Sequence, residues 1–466
     1  MPGSARVAIV GGGISGLTAA YRLRRALGAD AALDLFESSD RTGGVLHTTT
    51  VGDQAVDVGA EAFIVRRPEA LDLVTELGLA DRIVSPTPRR PAVWSGGRLH
   101  PLPSPALMGI PATPAAVEGL AEPGDLDRMA AEAGRPLDWQ TGADPSVGAL
   151  VADRFGESVV ARSVDPMLGG VYSSLAGEIG LREALPALAA RLDGGAPSLT
   201  AAVNDLVSAG AAVTGPVFGT LVGGYGVLLD ALRSAAAADV RCESRVVDVE
   251  PAEDGWLVRT VDAAHTYDAV LLATPAWESG RLLRGSVPDL AAPLEAVRAA
   301  SSVVVSIALS PSTPLPEHSG VLVGTGEGLR AKAFTFSSQK WAHLAAPDRP
   351  VSVRASFGRF GAPVPEPGDE PGVDDRLRAE ALEDLDEVCR SAGATPVSDR
   401  VVDTRVRRWT GGLPVYGPGH LTAMAQIIAA RPRRLALAGS SYAGVGVPAC
   451  IGQAGRSAAA LLDDLR

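Results

Sequence analysis

Cysteine is nearly missing from this chain. The three present in 466 residues, Cys242, Cys389 and Cys450, are odd in number and scattered. That excludes a disulfide framework and a closed zinc site, and predicts a reducing, cytoplasmic compartment. Basic residues are in deficit, 42 Lys and Arg against 54 Asp and Glu, which leaves a net charge of -12. Such a balance disfavours non-specific attachment to nucleic acid or anionic lipid, so an anionic ligand must meet a local cluster of arginines. No apolar run approaches the roughly 18 uninterrupted residues that span a bilayer, because Gly, Pro, Asp and Arg break every candidate. The expectation is no transmembrane segment and at most peripheral membrane contact. The opening MPGSARVAIVGGG lacks the charged-then-apolar order of a secretion signal. His47, His100 and His420 are not spaced as metal ligands, and no metal is expected.

What is present is an ordinary globular composition, 46% apolar and 21% charged, in a chain too long for one hydrophobic core. Arg6 to Val10 reads as a buried strand, a glycine turn follows, Leu17 to Leu27 carries helix formers on a 3.6-residue period, and Ala32 to Phe36 alternates as a second strand. This strand-helix-strand unit should be parallel and right-handed. Pro101 to Pro145 is dense in Pro, Ala and Gly, while Ser146 to Leu192 resumes a helical register and predicts a helical lobe. Three alternating segments between Val240 and Thr274, split at Asp254-Gly255 and at His265, predict an antiparallel excursion returning to a core strand. Val303 to Leu309, Ala331 to Ser337 and Val351 to Phe357 are β-rich, and Asp374 to Ala392 is an acidic amphipathic helix. Arg434 to Ala438 and Cys450 to Leu465 read as a closing strand and helix.

Gly11-Gly12-Gly13-Ile14-Ser15-Gly16 satisfies G-x-G-x-x-G between the first strand and first helix. Gly11 permits the tight turn, Gly13 lets a pyrophosphate approach the backbone, and Gly16 lets the helix pack on the strand. The helix N–H groups then receive phosphate. Glu37 closes the second strand, where a carboxylate accepts hydrogen bonds from a ribose diol. Asp40-Arg41-Thr42-Gly43-Gly44-Val45 follows, and its glycine pair argues for FAD rather than NAD. The longer cofactor benefits from a second close backbone approach, with Arg41 supplying charge to phosphate. Taken alone, Gly43-Gly44 reads as a type II turn. Gly59-Ala60-Glu61-Ala62 is a third small-residue stretch, expected beside the ribityl chain. Near the C-terminus LALAGSSYAGVGVPACIGQAGRSAA repeats the order strand, glycine-rich loop, helix start. Gly439, Val445, Gly446 and Val447 are the expected contacts there, with N–H donors facing the flavin pyrimidine and stabilising negative charge on the reduced ring.

The expected fold class is α/β plus α+β: a Rossmann-like FAD-binding domain with a doubly wound parallel sheet, a mixed-sheet substrate domain and a helical lobe. Its expected boundaries are 1–62, 217–290 and 425–466 for the FAD-binding domain, 63–93, 192–216 and 291–424 for the substrate domain, and 94–191 for the helical lobe.

These residues resemble the amine-oxidase-like flavoproteins and, within them, the protoporphyrinogen/coproporphyrinogen oxidase family, from end to end. The resemblance is carried by VAIVGGGISGLTAAYRL, DLFESSDRTGGVL, DVGAEAF, VDPMLGGVYSS, Ala273 to Pro275, AFTFSSQKW, LPVYGPGH and GVGVPACIGQAG, the last three being the most discriminating. It implies FAD contacts at Gly11 to Gly16, Glu37, Ser38, Val45, Gly59 to Ala62, Val246, Trp409 and Val445 to Val447. Ala60 and Ala62 stand where bacterial relatives have Pro and Ser, and LPVY where Pro-Gln-Tyr is usual; neither departure removes a charge. The implied activity is oxidation of a porphyrinogen in haem biosynthesis, with six electrons removed in three flavin cycles and dioxygen reduced to hydrogen peroxide. The flavin then carries the chemistry, and no Ser, His or Cys nucleophile is required.

The resemblance also aligns Gly320 with a residue whose carbonyl faces the macrocycle, although by itself Gly320 reads as a structural turn. Arg66 and Arg67 are the expected propionate anchors, ahead of Arg98, Arg407 and Arg408. Coproporphyrinogen III, with four propionates, suits a chain without an apolar anchor better than protoporphyrinogen IX with two. Protoporphyrinogen oxidation remains the nearest alternative. An amine oxidase is disfavoured by an aromatic content of 4%, and a desaturase would want a long apolar tunnel. A non-catalytic flavin-binding scaffold touching haem-pathway enzymes is the reading from another class.

Overall fold

The computed structural model describes residues 5–211, 215–362, 364–366 and 371–466. The expected domain ranges extend beyond these at 1–4, 212–214, 363 and 367–370. Five strands form a parallel sheet in the order Asp239–Arg241, Ala32–Phe36, Arg6–Val10, Ala269–Leu272, Leu435–Leu437. The central strands, RVAIV and AVLL, are almost wholly apolar because helices cover both faces. Helices Ile14–Leu27, Pro68–Glu76, Tyr225–Ala236 and Val447–Leu465 pack on one face. The other face is covered by Ala276–Leu283, Pro288–Glu295, His420–Ala429 and an antiparallel sheet of Val246–Ala252, Gly255–Thr260 and Ala264–Tyr267. The strands run in one direction, so the loops at Gly11, Ala273 and Gly439 leave the sheet from the same carboxyl edge, where such sheets bind ligands.

A seven-stranded mixed sheet follows the order Val401–Pro414, Ala299–Leu309, Val351–Phe357, Ala333–Thr335, Gly320–Val323, Ala92–Ser95, Arg98–Pro101. One face buries Val305, Val321, Phe334, Val353 and Ala355 against Leu377 and Leu385 of helix Val373–Ser391. By register, the opposite face carries Val304, Leu322, Ala333, Thr335, Arg354 and Ser356. That face is turned toward the first domain, since Ala308 packs with Val51, Val56 and Val58. The helical lobe has its own apolar cluster, from Ile110 to Val203, into which Val93 of the mixed sheet also packs.

Several expectations need correction. The segment from Val240 divides: Asp239–Arg241 joins the edge of the parallel sheet, and the hairpin begins only at Val246 after Glu243 turns at φ +54°. His265 lies inside strand Ala264–Tyr267, and the reversal falls at 261–263, closed by Thr260 N–H donating to Ala263 O. Apolar packing also shifts the lobes. Helix Pro68–Glu76 packs in the cluster of the dinucleotide core, Leu199 and Ala202 in that of the helical lobe, and Leu294, past the expected boundary at 290, in that on the other face of the parallel sheet, while Arg98–Pro101 pairs into the mixed sheet. Gly320 is a strand residue, not a turn; a Cβ there would lie 2.3 Å from Phe334 O of the neighbouring strand.

Inside the helical lobe, Arg154 is 3% exposed and Glu132 is sealed, with Arg154 Nε donating to Glu132 Oε1 at 2.8 Å. Leu199 N–H donates to the same carboxylate oxygen at 2.9 Å. Arg154→Leu should therefore cost about 3–5 kcal/mol by stranding a buried charge, and the double replacement Glu132→Leu/Arg154→Leu should cost less. Calorimetric unfolding checks this; a double variant less stable than the single one contradicts it.

Candidate functional site

Between strand Arg6–Val10 and helix Ile14–Leu27, Gly11 turns at φ +103°, and a Cβ there would sit 2.7 Å from the Ala273 carbonyl. At Gly16 a Cβ would lie 1.9 Å from Gly11 O, so the helix rests directly on the turn. Gly12 N–H donates to Glu37 Oε2 at 2.8 Å, and Gly43 N–H donates to Gly12 O at 2.8 Å. The second glycine pair is thereby laid against the first: Gly13 and Gly43 form a parallel bridge, and the Cβ position of Gly44 is 3.2 Å from Gly13 Cα. Above Gly13 the space is open, its own Cβ position meeting nothing nearer than Gly44 Cα at 3.9 Å. The N–H groups of Ile14, Ser15 and Gly16 begin the helix without intrahelical acceptors and face this space with the positive end of the dipole.

Glu37 also accepts from Ser39 N–H and Ser39 Oγ at 2.9 Å, with Ser38 Oγ at 3.4 Å. Ser244 N–H donates to Glu37 O, which brings Val246 to the same end of the site. Arg41 stands differently from expectation, its guanidinium donating to the carbonyls of Thr42, Gly44 and Leu46. It clamps the glycine turn and still contributes a positive charge. Two cations approach the Trp409 ring, Arg407 at 4.7 Å and Arg41 at 5.9 Å, while its Nε1 donates to Val58 O. Burial, then Arg41 and Arg407, push His47 down to about 4, and its Nδ1 is buried without a partner. Such a concentration of cations and unused donors fits an anionic cofactor.

Gly59 is pinched between Val45 and Trp409, its Cβ position being 1.9 Å from Val45 O and 3.1 Å from Trp409 Cζ2. Val45 remains 41% exposed and Ala60 is exposed as well, leaving free surface for a ligand. The carboxylate of Glu61, expected beside the ribityl chain, is instead committed to protein. Lys340 Nζ lies 3.0 Å away, Arg354 Nη1 3.7 Å, and Ser337 Oγ donates to it. Burial alone would raise its pKa, but these partners more than offset that and hold it at about 2. Arg354 also donates to Gly59 O, so this knot fastens the mixed sheet to the glycine stretch. A void of about 20 Å³ beside it, edged by Asp57, Trp341 and His343, has room for one water.

The C-terminal loop reaches the same place. Gly439 and Gly444 take φ +140° and +129°, and Val445 and Gly446 keep accessible surface just before helix Val447–Leu465. Tyr416 Oη donates to Ser440 O at 2.5 Å and accepts Gly444 N–H at 2.8 Å, while His420 Nε2 lies 2.6 Å from Ser441 O. Ser15 of the first helix is within hydrogen-bonding reach of Cys450 in the last. The two helix N-termini therefore lie side by side.

Across the site, Leu322, Ala333, Thr335 and Ser356 are partly exposed although they lie on interior strands of the mixed sheet. They form a floor of mostly small side chains, in line with Gly320. Helix Asp165–Tyr172 closes one side, the Cβ position of Gly170 lying 3.8 Å from Leu322 Cδ2. Arg66 and Arg67 are exposed beside strand Phe63–Ile64; Arg66 donates to Gly215 O, and Arg67 pairs with Glu69 at 2.9 Å. Arg98 lies exposed on the outermost strand, and Arg408 turns away from the floor to Asp374. Sequence reasoning missed Arg354, Tyr416 and Lys332. A lone charge at an inward strand position was the available signal for Arg354, whereas Tyr416 acts only through chain closure.

Two glycine cradles meeting beneath paired helix N-termini, beside a covered sheet floor, define a flavin-dependent oxidoreductase that binds FAD. The sequence pattern of flavin containing amine oxidoreductases matches residues 14–462, and the chain belongs to that family. It is 48% identical over 462 residues to the coproporphyrinogen III oxidase of Mycobacterium tuberculosis strain H37Rv, covering 98% of this chain and 97% of the relative. Its likeness to the coproporphyrinogen III oxidase of Mycobacterium leprae is 47%, covering 97% of each chain. A solved structure from Exiguobacterium sp. 255-15, given the provisional name protoporphyrinogen oxidase, superposes with a TM-score of 0.84 at 25% identity, covering 98% of both chains. No helix of the described residues is long and apolar enough to cross a membrane.

Because Gly13 has ordinary backbone angles and open space above it, Gly13→Val should fold yet lose at least tenfold in flavin affinity, whereas Gly16→Val should not fold. Absorbance near 450 nm and flavin released on heating distinguish them; a fully yellow Gly13→Val removes Gly13 from the cradle. The depressed pKa of Glu61 contributes stability above about pH 4, lost as pH falls toward 2. Glu61→Gln should accordingly lower the melting temperature more at pH 7 than at pH 3, and equal losses would contradict the linkage.

Proposed function

We propose that this chain is an FAD-dependent coproporphyrinogen III oxidase. It converts coproporphyrinogen III to coproporphyrin III by removing six electrons and six protons, and three dioxygen molecules become three of hydrogen peroxide. The observation that carries this reading is the 48% identity sustained along nearly the whole chain. Bound FAD supplies the redox chemistry, accepting electrons two at a time.

The chain's own residues hold, orient and seal. Leu322, Ala333, Thr335 and Ser356 offer a low floor against which a broad macrocycle can lie, with no bulky aromatic projecting from them. The Glu61, Lys340, Arg354 knot and the hairpin Thr48–Val51 and Gln54–Asp57 keep water from one side. Gly11 to Gly16, Glu37, Ser38, Arg41, Gly43 to Val45, Gly59 to Ala62, Val246, Trp409, Gly439 and Val445 to Val447 are the proposed cofactor contacts. Arg66 and Arg67 are the proposed propionate anchors, with a cytoplasmic setting and dioxygen as acceptor completing the proposal.

Incubation with coproporphyrinogen III in air should give porphyrin fluorescence with three peroxides per porphyrin. A kcat/KM on protoporphyrinogen IX clearly above that on coproporphyrinogen III in detergent-free buffer would overturn the substrate assignment. Arg67→Glu should raise KM several-fold with flavin retained, since it reverses a charge at a carboxylate anchor; an unchanged KM discards Arg67 as anchor.

A further inference from the structure

Of the 42 basic Lys and Arg residues only two are lysine, Lys332 and Lys340. Lys340 is paired with Glu61 at 3.0 Å. Lys332 has no such partner. Its Nζ donates to Ser173 Oγ at 2.7 Å and to Gly358 O at 2.6 Å, both neutral acceptors, although an ammonium carries three donors. The charged group that acts on it is another cation, Arg359, and among the described residues no carboxylate pairs with Lys332. Arg359 gives Nη1 to Thr325 Oγ1 and Nη2 to Val323 O, while its Nε is buried with no acceptor. The acid facing Arg359 is Asp165, whose oxygens accept from Ala176 N–H and Thr325 Oγ1.

The pair sits where the helical lobe meets the floor. Lys332 immediately precedes Ala333, Ser173 follows helix Asp165–Tyr172, and the Cβ position of Gly169 is 3.9 Å from Arg359 Nε. A tether between helix and sheet would need only neutral donors. Asp165 balances Arg359 but not Lys332, and a desolvated ammonium beside a second cation is unfavourable until an anion joins it.

We propose that Lys332 and Arg359 form a carboxylate subsite at the seam between helix Asp165–Tyr172 and the mixed sheet, receiving one propionate of the porphyrinogen. This rests on the porphyrinogen reading. Two N–H groups left without acceptors would be met by the two oxygens of one carboxylate, and the substrate's charge would complete the cluster. Burial, followed by Arg359, pulls the free amine down to about 7, so affinity for a carboxylate should fall as pH rises from 6 to 8.5.

The test compares wild type with Lys332→Gln, which keeps a donor and removes the charge, and with Lys332→Arg. Equilibrium binding of coproporphyrin III, read by fluorescence quenching, needs no turnover and is paired with KM and kcat. Lys332→Gln should retain flavin, weaken coproporphyrin binding and raise KM about tenfold, with kcat within about threefold, as expected for a lost charge-assisted hydrogen bond. The pH dependence should vanish in Lys332→Gln, and Lys332→Arg should recover part of the affinity. A Lys332→Gln protein with wild-type affinity, KM and pH profile overturns the subsite even if it melts earlier, because a purely structural tether predicts that result. Should Lys332→Gln fail to fold, a wild-type affinity flat between pH 6 and 8.5 overturns it. Wild type that binds coproporphyrin but oxidises no coproporphyrinogen defeats the porphyrinogen reading and leaves the subsite to be judged on binding alone.

Discussion

The contact between Gly16 and the carbonyl of Gly11, where there is no room for a single carbon, is the constraint on which the rest depends. It seats the first helix on the end of its strand, so that the helix N–H groups open onto the carboxyl edge of the sheet. Everything anionic that the site must hold depends on that opening. Gly43 and Gly44 then extend the same bare surface, and Gly43 N–H bonding to Gly12 O ties the second turn to the first rather than leaving it a mobile loop. Side chains would fill this surface, so the chain spends glycine where backbone and ligand must come close.

Charge is distributed to match. The molecule carries a net charge of -12, yet the residues behind its glycine turns include Arg41, Arg407, Arg354 and Lys340. Two acids are buried beside the last two: Glu61 is consumed in bonding them, and Asp57 accepts from Thr48 Oγ1 and Tyr225 N–H. An acidic exterior with an internally concentrated cationic lining repels anions in general while holding those that reach the interior. Arginine suits most of these positions because its planar group stacks on Trp409 and reaches several carbonyls at once, as Arg41 does.

Much of this was legible in the residues. The strand-helix-strand unit and its terminal Glu37 follow from local periodicity and glycine placement, and each element needs only its immediate neighbours to form. The division of the lobes was less legible, because helix Pro68–Glu76 has the same amphipathic pattern whether it packs on the dinucleotide core or on the mixed sheet. Glu61 shows the same limit: a carboxylate in a small-residue stretch reads as a ligand contact until Lys340 and Arg354, some 280 and 290 positions later in the chain, are seen beside it. Tyr416 carries no local signal, since its role exists only once the C-terminal turn has folded back on it.

That closure has an energetic consequence. The first and last helices are separated by more than 400 residues of sequence, yet Ser15 meets Cys450 and their N-termini share one space. Two like dipole ends side by side repel, and Glu37, which accepts from Gly12 N–H, offers negative charge at one end. An anionic ligand bound across both would relieve it, and a ligand that binds only the closed arrangement stabilises that arrangement. On the proposed contacts, the C-terminal helix and the cofactor each strengthen the other's docking, and the flavin site is then as much a product of chain closure as of the glycine motif that announces it.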